Sequence, residues 1–105
     1  MTTDKFELKG KKYVIKRDPN SVLDYVASFA SLLSPGDTIQ VASVPTVSGG
    51  IVIDSLSHTT TTVTIWVSGG TLWVAGQPYA AATIRITTAA GRVDERTVYF
   101  KVVQR

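Results

Sequence analysis

The sequence contains no cysteine. No disulfide framework can brace the chain, and neither a four-thiolate nor a mixed Cys/His zinc site can be built from it. Histidine occurs once, as His58, and methionine once. Good helix formers are scarce, with 6 Leu and 2 Glu, and no apolar stripe repeats at i, i+3, i+4 and i+7. Long helices are therefore not expected. No run of about 18 apolar residues occurs, as a membrane-spanning helix requires, and no basic-then-apolar leader opens the sequence. The expectation is a protein made and folded in a cytoplasm, with no membrane partner.

What the sequence has in quantity is β-branched side chains. It holds 14 Thr, 14 Val and 7 Ile, so 35 of 105 positions favour the extended backbone. A chain of 11.3 kDa forms one core, and any further element must be an arm or a tail. The net charge is only +3, yet Lys5, Lys9, Lys11, Lys12, Lys16 and Arg17 place six of the eleven basic residues in the first 17 positions. The remainder is close to neutral.

Residues 1–18 read as a basic N-terminal arm with two short apolar pieces, Phe6-Glu7-Leu8 and Tyr13-Val14-Ile15, separated by Lys9-Gly10-Lys11-Lys12. Such a segment forms either a small hairpin or an arm lying on a neighbour. Asp18-Pro19-Asn20-Ser21 stops it, because proline fixes its own φ and restricts the residue before it. Residues 19–105 then form the domain. Leu23, Tyr25, Ala27 and Phe29 alternate with polar positions, as a half-buried strand requires. Ser34-Pro35-Gly36-Asp37 signals a turn, after which Ile39, Val41 and Ser43 are expected on one face. Gly49-Gly50 precedes Ile51-Val52-Ile53, and Asp54 to His58 are read as a polar connection. The cleanest alternation is Val63, Ile65 and Val67 inward against Thr62, Thr64 and Trp66 outward. Gly69-Gly70 turns the chain into a loop carrying Trp73. Ala80, Ala82, Ile84 and Ile86 then face inward, Ala89-Ala90-Gly91 forms a hairpin turn, and Val98, Phe100 and Val102 return inward with Thr97, Tyr99 and Lys101 outward. Six or seven strands with turns every 8 to 12 residues predict an all-β, immunoglobulin-like antiparallel sandwich of about seven strands. Tyr79 is a candidate for the corner tyrosine of such sandwiches.

Chemistry is hard to find. Around His58 the nearby serines and aspartates read as a polar turn; a triad needs a base oriented by a carboxylate and a nucleophile within hydrogen-bond reach. Asp94 and Glu95 are adjacent on a strand, so they point to opposite faces and cannot converge; Arg92 and Arg96 beside them suggest surface ion pairs. The glycine pairs lack the spacing of phosphate loops and no helix comes after them. No catalytic residue, cofactor or metal is assigned. The basic arm mixes cations with aromatics, but Asp4 and Glu7 dilute it, and nucleic acid is not expected as a partner. The outward aromatics carry more information, since residues of that size are enriched in protein interfaces. The candidate interface residues are Phe6, Lys11, Lys12, Tyr13, Trp66, Trp73 and Tyr99.

Several runs then carry a resemblance. Asp18-Pro19, Val22-Leu23-Asp24-Tyr25, Pro35-Gly36-Asp37-Thr38-Ile39, the stretch from Ile65 to Thr71 and above all that from Arg85 to Arg96 are similar to small tailed-bacteriophage proteins, the fiber-to-tail adaptors and minor virion structural proteins. The resemblance covers residues 18–103. It implies a non-enzymatic virion component of immunoglobulin-like fold, a homo-oligomeric adaptor linking tail or head-tail neck components to fibers or neighbouring proteins. Its partners would be other phage structural proteins and copies of itself. The other function open to such a module is receptor or glycan binding, with Trp66, Trp73 or Tyr99 stacking on sugar rings.

Overall fold

The alternation of β-branched and polar residues resolves into two sheets packed face to face. A computed structural model describes residues 3–5, 7–9 and 12–104, with side chains from residue 14 to residue 104. Nine strands run in chain order: β1 (Thr3–Lys5), β2 (Glu7–Lys9), β3 (Lys12–Arg17), β4 (Leu23–Ser28), β5 (Ile39–Ser48), β6 (Ile51–His58), β7 (Thr62–Gly69), β8 (Ala80–Thr88) and β9 (Val93–Val102). One sheet has the order β1-β4-β7-β6 and the other β2-β3-β9-β8-β5. The sole helical element among the described residues is a three-residue 3-10 turn, Ala30–Leu32.

The all-β expectation holds, and the inward positions are those that period two selects. Tyr25, Phe29, Val63, Ile65, Val67, Ala82, Ile84, Ile86 and Phe100 are completely buried between the sheets. Tyr25 and Phe100 meet edge to face at 5.1 Å across the sandwich, a geometry that the ring quadrupoles favour. The basic N-terminal segment contributes to both sheets. β1 runs parallel to β4, β2 pairs antiparallel with β3, and β3 runs parallel to β9 from Tyr13↔Val98 to Arg17↔Val102.

Three register shifts interrupt the ladders, and two of them bear on the expected phase. Between Ile39 and Val41 the β5–β8 register shifts, and the extra residue turns Val41 outward, where it is exposed, while Ala42 and Val44 pack on the core. A bulge adds one residue to one strand and so reverses the facing of the residues beyond it. Another lies between Ile53 and Ser55. The polar stretch from Asp54 to His58, expected as a connection, continues β6 instead, with Leu56 packed against the core. β6 is an edge strand, and such a strand tolerates polar residues because only part of it faces the interior. Pro45 sits in β5 within the remaining register shift, between Ser43 and Thr46, and a bulge in an edge strand tolerates a residue without an N–H.

The polar residue that does most inside the core is Arg17, which is fully buried. It lies two positions beyond Ile15, so strand periodicity places it on the core face. Its guanidinium donates from Nε to the Gly69 carbonyl (3.0 Å), from Nη1 to the Val67 carbonyl (3.1 Å) and the Tyr25 hydroxyl (3.0 Å), and from Nη2 to the Ser21 carbonyl (2.7 Å). One side chain from β3 thereby ties the five-stranded sheet to β4 and β7 of the other. The buried tyrosine whose hydroxyl joins this network is Tyr25. Tyr79, the expected corner tyrosine, instead lays its ring against Trp73 at 5.4 Å.

The two ends of the sandwich differ. At one, Ser34-Pro35-Gly36-Asp37 closes a turn with the Asp37 amide bonded to the Ser34 carbonyl (2.9 Å) and Gly36 at φ 80°, the conformation that proline before glycine favours. Asp37 Oδ1 accepts from the amides of Thr38 (2.9 Å) and Ala90 (3.1 Å), and Arg92 donates to the Ser34 hydroxyl (2.6 Å). This turn is thus fastened to the β8–β9 hairpin. At the opposite end the two glycine pairs meet: the Gly70 and Thr71 amides donate to the Gly50 (3.1 Å) and Gly49 (2.8 Å) carbonyls. A Cβ at Gly49 would stand 2.5 Å from that of Ala80, so only glycine lets these backbones approach so closely.

Candidate interaction surface

The candidate residues do not form one patch. Phe6 and Lys11 lie outside the described residues. Lys12 and Tyr13 belong to β3, in register with Lys9 and Leu8 of β2, and Tyr13 also with Val98 of β9. Trp66 is half-buried on the outer face of the four-stranded sheet, between Asp24 of β4 and Ser55 of β6. Tyr99 lies on the outer face of the five-stranded sheet, in register with Val14 and Ala81. Trp66 and Tyr99 therefore look out from opposite sides of the sandwich.

Trp73 occupies the segment between β7 and β8, at the glycine end. Its amide donates to the Val102 carbonyl (2.8 Å) and its indole Nε1 to the Gln77 carbonyl (2.8 Å). The Lys101 ammonium stands 4.8 Å from the centre of its ring, opposite charge meeting the negative π face. With the Tyr79 ring also in contact, Trp73 pins the segment to the end of β9. Beside it opens a hollow of about 350 Å³ lined by Gly49, Gly50, Leu72, Trp73, Val74 and Pro78 among others. Leu72 and Val74, not singled out from the sequence, project there with 48% and 63% exposure. The signal that could have found them was present: a glycine-flanked loop with three successive large apolar residues and no strand to bury them.

The side chains capable of chemistry stay apart. His58 ends β6, exposed, with Nδ1 2.9 Å from the Thr59 carbonyl oxygen. Glu95 is cross-strand to Arg85 and forms an ion pair with it at 2.6 Å, both side chains nearly half exposed; such pairs contribute little to stability. Among the described residues no three His, Asp or Glu side chains come together to hold a metal ion. Among the described residues Asp37 is the one group whose titration is clearly moved, its carboxyl held below the ordinary range by hydrogen bonding from the Thr88 hydroxyl and the Thr38 and Ala90 amides and by the Arg92 charge. The amide bonds to Oδ1 are the better-supported cause, since Oδ2 is buried without a partner in hydrogen-bond geometry. This is the signature of a loop clamp, and it stands at the end away from Trp73.

A family model described as Podophage GP4 fiber-tail adaptor protein gp77 matches residues 17–101. The match begins at the buried Arg17 and spans every strand from β4 onward, ending one residue short of the last residue of β9. No curated protein matches the chain.

Proposed function

This chain belongs to the podophage fiber-tail adaptor family, and we propose that it works as a non-enzymatic structural component of the phage particle, linking tail or head-tail neck components to fibers or neighbouring proteins. The observation that carries this reading is the family match across nearly the whole sandwich. The physical character of the fold supports it: the polar groups are spent on turns, edges and one internal tie, so surfaces are left to do the work. The seven interface candidates, copies of the chain itself and other phage structural proteins as partners belong to the same proposal. So does the basic arm of residues 1–18, whose strands β1 and β2 stand at the edges of the two sheets, reaching onto a neighbour. The strand order supports an immunoglobulin-like assignment, since β4-β7-β6 facing β5-β8-β9 has the B-E-D against C-F-G arrangement of that sandwich.

Glycan binding gains nothing from the geometry at Trp73, whose ring is already engaged by Lys101 and Tyr79. The test is genetic and structural. Particles made without this chain should carry heads and tails but few fibers by electron microscopy, and supplying the chain in trans should restore them. Fully fibered particles in its absence would overturn the proposal. Native mass spectrometry of the purified chain reads its self-association directly.

A further inference from the structure

Among the described residues, the large apolar side chains that remain exposed are unevenly distributed between the two ends. Val22, Val47, Val52, Leu72 and Val74 lie at the end of the sandwich where Gly49-Gly50 meets Gly69-Gly70, whereas Val41 and Val93 lie toward the other. Leu72 and Val74 adjoin one another around one hollow, and adjoining exposed apolar side chains mark interaction sites. That hollow lies beside Trp73, and the backbone of a glycine pair forms part of its wall. Gly49 and Gly50 hold φ of 75° and 76°, and a Cβ at Gly50 would come within 2.8 Å of the Thr71 hydroxyl. At about 350 Å³ it falls near the lower end of ligand-pocket sizes, roughly 300–1,000 Å³. No charged side chain lines it.

Positive charge lies beyond its Trp73 wall. Lys101 stands against the Trp73 ring, and Lys16, exposed on β3, is its in-register neighbour on the adjacent strand. Like charges placed directly opposite on a sheet destabilise it, so an external carboxylate set between them would relieve a repulsion as well as gain two charge-assisted contacts. A second copy of the chain docking the same end would bring two more lysines to that place. We infer that the hollow receives a large apolar side chain from a segment of a different protein, with Asp or Glu next to that anchor to meet Lys16 and Lys101. The inference deepens the adaptor reading and rests on it only in supposing a protein partner.

The test uses the full chain as bait for a random dodecapeptide library, and then the best synthetic peptide in solution. Enriched peptides should carry a Leu, Phe or Trp anchor beside acidic residues and shift the backbone amides of residues 49–50 and 71–77 in NMR spectra. The exposed-site variants Leu72→Asp and Val74→Asp should each weaken the peptide at least ten-fold while keeping the wild-type dispersion of core amides. Lys101→Glu should turn the preference toward basic peptides. Enrichment no greater than on Leu72→Asp, basic consensus peptides, or shifts that map elsewhere would each overturn the inference. So would a dimer in sedimentation that Leu72→Asp dissolves, since the occupant would then be a second copy. None of these outcomes touches fiber attachment in particles, which decides the adaptor reading separately.

Discussion

Replacing Arg17 should damage this protein more than replacing any other basic residue. Its four donated hydrogen bonds fall into two classes. Those to the Val67 carbonyl and the Tyr25 hydroxyl are buried, and those to Gly69 and Ser21 are reached in part by water. A buried acceptor that loses a charged donor costs about 1.5–3 kcal/mol, while one that can turn to water costs under about 1 kcal/mol. The gross loss is then roughly 4–7 kcal/mol, offset by release of a guanidinium whose desolvation was itself unfavourable by a few kcal/mol. The expected net loss is about 3 kcal/mol for Arg17→Met, which keeps an apolar stem in place but donates nothing. Small domains have a total stability of about 5–15 kcal/mol, so this is a large share. Urea unfolding monitored by tryptophan fluorescence should show the midpoint fall with the m-value unchanged. Arg17→Lys should lie between the two, because an ammonium cannot reach all four acceptors as a planar fork does. Tyr25→Phe should cost about 1 kcal/mol alone and less in the Arg17→Met background. A loss below about 1 kcal/mol for Arg17→Met would show that the two sheets are not tied through this side chain, and the reasoning would fail.

The glycine junction gives a paired test. Gly49→Ala drives a Cβ onto Ala80 and should destabilise the fold, as read by thermal unfolding, by well over the left-handed penalty of about 1–2 kcal/mol, whereas Gly76→Ala, at φ 89° but in open space, should cost only about that penalty. The depressed titration of Asp37 makes a pH prediction. A carboxyl whose folded value lies below its unfolded value of 3.8 stabilises the fold at pH above that value, and the contribution is lost as pH falls through the folded value. The melting-temperature gap between wild type and Asp37→Asn should therefore be constant near neutrality and close below pH 3.8; a gap that widens there would refute the clamp. Glu95→Gln should change stability by less than about 1 kcal/mol, with the difference vanishing in high salt, since the Arg85 pair is exposed.

Much of the core was legible because a period of two is hard to mistake where it runs unbroken. Val63, Ile65 and Val67, the alanines and isoleucines of β8, and Val98, Phe100 and Val102 all face where the alternation puts them. Legibility failed where one residue was inserted. The bulge after Ile39 sent Val41 outward, and periodicity alone carries no mark of an unpaired residue. It failed again at β6, because the run from Asp54 to His58 is polar and edge strands need little apolar content. Arg17 shows a third limit. It looks like one more cation in a basic run, and only its phase with Ile15 separates it from Lys12 and Lys16. At the surface, Trp73 was readable as a candidate, but its engagement by Lys101 and Tyr79, and the hollow it shares with the glycine pair, depend on contacts between residues far apart in the chain.

The central claim is that this sandwich acts through protein contacts made by its surface inside the particle. Photo-cross-linking in intact particles from an unnatural residue at position 72, with position 87 on the outer face of β8 as the reference, measures that most directly. The account predicts a covalent product from position 72 with a different structural protein of the particle, and a weaker one or none from position 87. Absence of the chain from purified particles, or no product from position 72, would contradict it.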